Sequence, residues 1–230
     1  MKHPGDPGVT KIPIKTHLVM RGEDIEDIVS SYAPPHLKPG DTVIITSKIV
    51  SVCQRRIKHF RNLKPGFWAN ILWRHVTKPK WGIGAVGLPE KMQAAIDLAD
   101  LPTIIIAAVW GMVARAFRRT GYFFKIAGHG VAEIDGSRVL TFDPYIRVII
   151  WGPHDADRVA ERIAQKIGAP VGIIDAGDWG NVDVLGASNE CDRAFVWRNC
   201  RDNPLGQTTE CTPVGILRPH QVQIDKTDQR

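Results

Sequence analysis

The apolar run Val43-Ile44-Ile45 limits the fold more than any other part of the chain. It is short and β-branched, and the turn signal Pro39-Gly40-Asp41 precedes it. This pattern predicts a strand buried on both faces. Thr46, Ser47 and Lys48 follow at once, so the strand ends in two hydroxyls and an ammonium. Such a cluster suits a phosphate, although a strand that simply ends in a polar turn has the same pattern.

A second organising pattern lies between residues 145 and 175. Asp155 to Gly168 is the clearest helix, with Asp155 as its cap, Gly168 as its end and Val159, Ile163 and Ile167 on one face. A β-type run, Tyr145 to Trp151, precedes it, and a buried strand, Ala169 to Ile174, follows it. The strand–helix–strand order predicts a mixed α/β architecture.

Carboxylates follow the second of these strands. Asp175 and Asp178 come where α/β folds hold ligands, at the carboxyl end of a strand. Together with Asp135 they would form an oxygen cage of the kind that Mg²⁺ or Mn²⁺ prefers. The alternative is that Asp175 only caps a turn.

The remaining patterns predict the other elements. Helices are expected over Gly22–Tyr32, Pro89–Ala99 and Leu101–Val113, strands over Ile12–Val19, Tyr122–Ile126 and Val214–Leu217, and a tight turn at Gly128-His129-Gly130. Residues 55–80 are basic and aromatic without a clean period, which predicts an irregular segment with short helical pieces.

Composition restricts the class of protein and its partners. The chain has 230 residues, a net charge of +6 and an ordinary hydrophobic fraction of 43%. Its basic clusters could attract a polyanion, but no nucleic-acid-binding motif accompanies them, so nucleic acid is not the expected partner. The four cysteines form no C-x-x-C pair, and the polar N-terminus is unlike a signal peptide, so reduced thiols and a cytoplasmic location are expected.

The apolar segment Leu101–Val113 is shorter than the roughly 20 residues of a spanning helix. We predict a buried helix. The alternative is a membrane-surface element, because Trp110 and Arg115 flank the segment.

Several segments together resemble one family, the γ-glutamyl ligases that add glutamate to the precursor of the deazaflavin coenzyme F-420. The similarity is strongest in "HLVMRGEDIEDIV" and "LKPGDTVIITSKIVSVCQRRI", where the family has a strand ending in Thr-x-Lys-Ile-Val-Ser. It extends to "PVGIIDAGDWGNVDVLGAS" and "LGQTTECTPVGILRP", and more loosely to "GHGVAEIDGSRV".

The resemblance implies an α+β (mixed α/β) fold with mixed sheets, intertwined and usually dimeric. The whole chain, residues 1–230, would be a single γ-glutamyl-ligase-like domain or two intertwined subdomains. Residues 57–121 would be a divergent insertion, and residues 219–230 read as a polar tail. The implied activity depends on GTP, with ATP as the alternative, and on Mg²⁺ or Mn²⁺, with two divalent cations. A carboxylate substrate becomes an acyl phosphate, and the amine of glutamate then displaces phosphate.

The resemblance also implies site residues. Lys48 and Asp175 would be catalytic, and Asp135, Asp175 and Gln207 would approach the metals, with Asp178 as a further ligand. The nucleotide would contact Lys15, Thr16, His17, Leu18, Ser47, Lys48, Arg138, Leu205, Gly206, Gln207, Thr208, Thr209, Glu210, Cys211 and Thr212.

Three positions differ from the family pattern. Val52 stands where the family has a lysine, Ala176 where it has a threonine, and Arg138 where it has an asparagine. These differences leave two alternatives to a ligase. One is a non-catalytic homologue that binds a nucleotide or another anion. The other is a membrane-associated protein that uses the basic and aromatic residues 57–119 as its contact surface.

Overall fold

A computed structural model gives the structure of the chain and describes residues 6–76, 84–136, 145, 147–177, 180–206 and 210–220. The chain divides into two compact units. We call the first, Met1–Gln54 with Pro153–Arg230, the sheet unit, and the second, Arg55–Gly152, the helical unit. The sheet unit is therefore built from two segments that are distant in sequence.

The strands within the described residues are β1 (Val9–Ile14), β2 (Thr42–Thr46), β3 (Ile57–His59), β4 (Val148–Ile150), β5 (Val171–Ala176), β6 (Val182–Ala187) and β7 (Val214–Pro219). The helices are α1 (Ile25–Tyr32), α2 (Ser47–Cys53), α3 (Phe67–Leu72), α4 (Pro89–Ala99), α5 (Leu101–Ala116), α6 (Tyr122–Ala127), α7 (His129–Ala132), α8 (Ala156–Ile167) and α9 (Arg193–Asn199). Short 3₁₀ helices span Pro34–His36, Phe60–Asn62 and Trp73–His75. The fold is α+β, as predicted.

The sheet unit is organised around a five-stranded mixed sheet with the order β1-β7-β2-β5-β6. Strands β2 and β5 are parallel, and the other neighbouring pairs are antiparallel. The predicted strand at Val43–Ile45 is confirmed and lies at the centre, where it is fully buried. A central position requires apolar side chains on both faces, which explains the continuous β-branched run.

Each face of this sheet packs on helices. Val43, Ile45, Val171 and Ile173 join a core with the apolar stripes of α1 and α8. On the opposite face, Ile44, Ile174 and Leu217 pack with Val196 and Cys200 of α9. The alternation of Val43, Ile44 and Ile45 between the two cores follows from the two-residue period of a strand.

The helical unit has its own core. Met92 and Ala95 of α4 pack with Ile104 and Ala107 of α5, and Val131, Ile134 and Ile149 complete the cluster. Its small sheet pairs β3 with β4, antiparallel. The predicted helix over Pro89–Ala99 is confirmed at both ends. The irregular segment is confirmed over residues 55–76, apart from the short strand β3, while residues 77–80 lie outside the described part.

Some predicted elements are wrong. Tyr122–Ile126 forms helix α6 rather than a strand, and the turn at Gly128-His129-Gly130 is the start of helix α7. Strands β4 and β5, which flank α8, belong to different sheets, so residues 145–175 are not a unit of one parallel sheet. The first strand is shifted, because β1 ends at Ile14 instead of Val19.

Helix α8 is confirmed, but its predicted cap is not. Asp155 holds the cap position with a positive φ of 47° and makes no capping hydrogen bond. Its carboxylate instead lies 3.0 Å from Nδ1 of His154. Gly168 ends the helix in the left-handed conformation, as its sequence position predicts.

The prediction that Leu101–Val113 is a buried helix is half wrong. Helix α5 buries Ile104, Ala107 and Ala114 but exposes a row of large apolar side chains. Among the described residues no single helix combines the length and apolarity needed to cross a membrane. The bent pair α4 and α5, at 117°, passes the same criterion only when the two helices are taken together.

Candidate active site

The carboxyl ends of the two parallel strands bring the two predicted catalytic residues to one edge of the sheet. The pairing of β2 with β5 ends with Thr46 opposite Ile174. Lys48 follows β2 by two residues, and Asp175 follows Ile174 directly. Neighbouring strands lie about 4.8 Å apart, so both residues belong to one small region of the sheet unit. This edge is where α/β sheets bind ligands.

Two further predicted segments reach the same edge. Val214, the first residue of β7, pairs with both Ile14 at the end of β1 and Ile45 of β2. The amide of Thr16 donates to the carbonyl of Cys211 at 2.9 Å, and the amide of Thr46 donates to Pro213 at 2.9 Å. The segments at residues 15–18, 47–48, 175 and 210–213 are thus brought together. They cover three strand spacings, or roughly 14 Å.

Ser47 and Lys48 lie on a helix. We expected a polar turn or phosphate loop after β2, but α2 begins at Ser47, directly after the strand. Ser47 is buried, with 5% of its surface exposed, and Lys48 is half-buried. A strand that passes straight into a helix fixes the backbone of both residues, which restricts where the ammonium can lie.

In the predicted nucleotide-binding segment at residues 15–18, two residues are hydrogen-bonded within the protein and two are simply exposed. Thr16 is buried, and its hydroxyl donates to the His17 carbonyl at 2.8 Å. The His17 ring contacts the Tyr32 hydroxyl at 3.0 Å and the Glu23 carboxylate at 2.7 Å. Lys15 and Leu18 are exposed. Of these four residues, only Lys15 presents an exposed charge to the edge.

The loop before β7 is tied to itself and to the sheet. Leu205 is buried, and its side chain packs closely on Gly215. A Cβ atom on Gly215 would lie only 2.7 Å from the Leu205 side chain. The Thr212 hydroxyl donates to the Leu205 carbonyl at 2.7 Å. The Glu210 carboxylate lies beside Gly206, which has a φ of 73°. The predicted residues Gln207, Thr208 and Thr209 lie outside the described part of the chain.

The acidic part of the edge includes a residue that sequence reasoning missed. Asp183 of β6 is the cross-strand partner of Asp175 of β5. Directly opposed residues of an antiparallel pair have Cβ atoms about 4.5–5.5 Å apart, and two like charges there destabilise the sheet. The sequence did contain a signal for Asp183. The alternating pattern Val182-Asp183-Val184 is typical of a strand, and it puts one carboxylate on the strand next to β5.

The other predicted metal ligands lie outside the described residues or in the helical unit. Asp178 lies outside the described residues. Asp135 belongs to the helical unit, where it bridges to Ile150 through both backbone groups and accepts a hydrogen bond from the Gly136 amide at 2.7 Å. Arg138 is not described. Within the described residues, no group of three or more His, Cys, Asp or Glu side chains is arranged to hold a metal ion.

Three cysteines of the sheet unit, Cys53, Cys191 and Cys200, are poor nucleophiles. Burial raises the pKa of the Cys53 and Cys200 thiols to about 12 and that of Cys191 to about 11. Thiols with such pKa values are protonated at neutral pH and unreactive. Nucleophilic cysteine chemistry at these three positions is therefore excluded.

The site combines hydroxyls, a lysine and paired carboxylates at the carboxyl edge of a mixed sheet in an α+β protein. Groups of these kinds are chemically suited to a phosphate and a divalent cation. The sequence model of the family F420-0:Gamma-glutamyl ligase matches residues 13–174, which is most of the chain. The chain belongs to this family, and its membership supports an amide-ligase role. A comparison with curated proteins found no match.

The matched range includes the end of β1, all of β2 and α2, and β5 as far as Ile174. It therefore contains Lys48, Asp135 and the strand that leads to Asp175. The matched range ends before Asp183 and before the loop at residues 205–212, so the nucleotide role of that loop remains a prediction.

Proposed function

We propose that the carboxyl edge of the five-stranded sheet binds a nucleoside triphosphate, GTP or ATP, and uses it to join an amine such as glutamate to a carboxylate substrate. The observation that carries this proposal is the register of β2 with β5. It brings together the ends of the strands that lead to Lys48 and Asp175, in a chain that belongs to a ligase family.

In this proposal the cationic residues bind the phosphates. Lys48 offsets charge on the transferring phosphoryl group, where phosphoryl transfer gains most of its rate enhancement. Ser47, which is buried and precedes Lys48, supplies a hydroxyl. Lys15, which is exposed, supplies a second ammonium. The loop at residues 210–212 leads into β7, between the segments that follow β1 and β2, and the hydrogen bond between Thr16 and Cys211 holds it there.

The paired carboxylates of Asp175 and Asp183 suit Mg²⁺ or Mn²⁺, because hard cations prefer carboxylate oxygens and relieve the repulsion between opposed acids. A bound divalent cation would supply charge neutralisation at the phosphates. The two aspartates would hold it, and the rigid strand pair would fix their separation.

The chemistry then follows in two steps that balance. A carboxylate oxygen of the acid substrate attacks the γ-phosphorus, the bond to the β-phosphate oxygen breaks, and the nucleoside diphosphate leaves. The amine nitrogen next attacks the acyl carbon, inorganic phosphate leaves, and the amine gives up a proton. The protein contributes mainly by positioning and by fixed charge, since both steps move negative charge.

The direct test is chromatography of the F-420 precursor, glutamate, GTP or ATP and Mn²⁺ after incubation with the protein. We expect a glutamylated product and equimolar phosphate. Lys48→Ala should lower kcat/KM by roughly 100-fold, the scale of one lost charge-stabilising group. Lys38→Ala is the matched control, because Lys38 is exposed and precedes β2 at its opposite end.

A second candidate function is a non-catalytic homologue that binds the nucleotide alone. The burial of Val52 favours it, since the position where the family has a lysine is 5% exposed and apolar here. Nucleotide binding without product from the wild-type protein would support this candidate and contradict the ligase.

A further inference from the structure

Helix α5 presents a row of large apolar side chains to solvent. Ile106, Val109, Trp110, Val113 and Phe117 are 51%, 48%, 55%, 43% and 76% exposed. Their spacing of three and four residues places them on one face of the helix. Neighbours at this spacing touch, so the row forms one continuous strip, which we call the outward face.

The opposite face of α5 carries small residues. Ala107 and Ala114 are buried, and a Cβ on Gly111 would lie 3.3 Å from that of Phe123 in α6. The helix therefore packs on its own unit through Ile104 and small side chains and exposes its other large apolar residues. This reverses the usual surface helix, whose outer face is polar. Roughly 500 Å² of apolar surface is exposed, a size that marks an interaction site.

Basic residues adjoin the outward face at the C-terminal end of the helix. Arg118 and Arg119 directly follow Phe117 and are exposed, whereas Arg115, also exposed, lies on the opposite side of the helix, in line with buried Ile104. Arg115 donates to the His75 carbonyl at 3.0 Å, and Arg119 donates to the Tyr122 hydroxyl at 3.3 Å. Both acceptors are neutral, so these hydrogen bonds leave the positive charges uncompensated.

The positive charge of the protein is concentrated in this unit. Residues 55–152 contain 15 Lys and Arg against 6 Asp and Glu, a net charge of +9. The remainder has 15 against 18, a net charge of −3, which together gives the +6 of the whole chain. The apolar strip thus belongs to a strongly basic unit, although the protein as a whole is only moderately basic.

We propose that the helical unit docks on an anionic lipid bilayer through the outward face of α5, with Arg118 and Arg119 at the headgroups. A strip that joins Trp and aliphatic side chains to arginines matches the layered chemistry of the bilayer interface. Nucleic acid offers no aliphatic surface for Ile106 and Val113. A second copy of the chain would bring one +9 unit against another. This proposal does not depend on the ligase activity.

The test is flotation of the full-length protein with vesicles. We expect it to float with vesicles of phosphatidylcholine and phosphatidylglycerol in equal parts, but not with phosphatidylcholine alone. Trp110→Glu should lower the bound fraction more than about ten-fold, because a charge replaces a large membrane-inserting side chain. The double variant Arg118→Gln/Arg119→Gln should lose binding, as should the wild type at about 1 M salt, where screening is nearly complete.

Trp197→Glu is the matched control, since Trp197 is 44% exposed but lies on α9 of the sheet unit. It should float like the wild type, and all variants should keep the wild-type circular dichroism spectrum. The proposal is overturned if wild-type protein ignores anionic vesicles or if folded Trp110→Glu floats normally. It is also overturned if Trp110→Glu converts a dimer to a monomer without changing flotation, or if RNA binding rather than flotation is lost.

Discussion

At the scale of single residues, Asp175 and Asp183 bring two carboxylates opposite each other on neighbouring strands, a pairing that a bound cation would stabilise. A ligand that binds only the folded state stabilises it by mass action. We therefore expect Mn²⁺ to raise the melting temperature of the wild-type protein. Asp175→Asn and Asp183→Asn should each remove most of that rise.

The control for this experiment is Asp155→Asn, because Asp155 is exposed and forms an ion pair with its neighbour His154. It should keep the full response to Mn²⁺. A melting temperature that does not respond to Mn²⁺ in the wild type would contradict the metal role of the pair.

Residue roles were only partly predictable from the sequence. The sequence assigned residues 15–18 to the nucleotide, but the engagement of the His17 ring with Tyr32 and Glu23 depends on the packing of α1. Leu205 likewise proved to be a packing residue against Gly215. A sequence motif identifies a segment, whereas tertiary contacts decide which of its side chains remain available.

At the scale of the elements, one ion pair ties β7 to the turn before β2. Asp41, whose side chain is fully buried, accepts from Nε and Nη2 of Arg218, both at 2.8 Å, and from the Lys38 amide at 2.7 Å. Burial alone would raise the pKa of the Asp41 carboxyl. The hydrogen bonds from Arg218 and Lys38, with the charge of Arg218, outweigh burial and lower it.

This pair should make stability depend on pH in acid. Because the pKa of Asp41 is lower in the folded state, the unfolded state binds more protons as the pH falls. The stabilisation is present above the unfolded pKa of about 4 and is lost as the pH drops through the folded pKa. We expect Asp41→Asn to lower the denaturant midpoint at pH 7 and to flatten its decline between about pH 5 and 3.

Asp27→Asn serves as the comparison, since Asp27 pairs with Lys166 on the surface, with 73% and 43% of their side chains exposed. Exposed pairs contribute little. Equal acid sensitivity in the wild type and Asp41→Asn would show that the pair does not contribute as proposed.

The sequence predicted helices and strands correctly where the pattern of residues fits only one kind of secondary structure. The run Val43–Ile45 is buried on both faces, and the periodic stripe of α8 faces the sheet, so both predictions are confirmed. The strand predicted over Tyr122–Ile126 is wrong. The aromatic content of this segment favours a strand, but Gly121 and Gly128, with φ of 83° and 95°, bracket a helical turn. Packing of Phe123 on Gly111 then stabilises that helix. Local propensity yields to tertiary packing in such short segments.

At the scale of the whole molecule, the two units carry different chemical features. The sheet unit carries the proposed ligase edge, and the helical unit carries the basic charge and the outward face of α5. The sequence predicted the apolar segment but not its exposure, because α5 is apolar all round and its composition does not say which side packs. For that reason the prediction that Leu101–Val113 is a buried helix is half wrong.

The central claim is that the carboxyl edge of the sheet is a nucleotide site built on Lys48. Calorimetric titration of GTP, and then ATP, in the presence of Mn²⁺ tests it most directly, with Lys48→Ala and Lys38→Ala compared with the wild type. We predict that Lys48→Ala weakens nucleotide affinity about ten-fold or more, the scale of one lost charge-assisted contact, while Lys38→Ala leaves it unchanged. Equal affinity of Lys48→Ala and wild type, or a wild-type protein that binds neither nucleotide, would contradict the account.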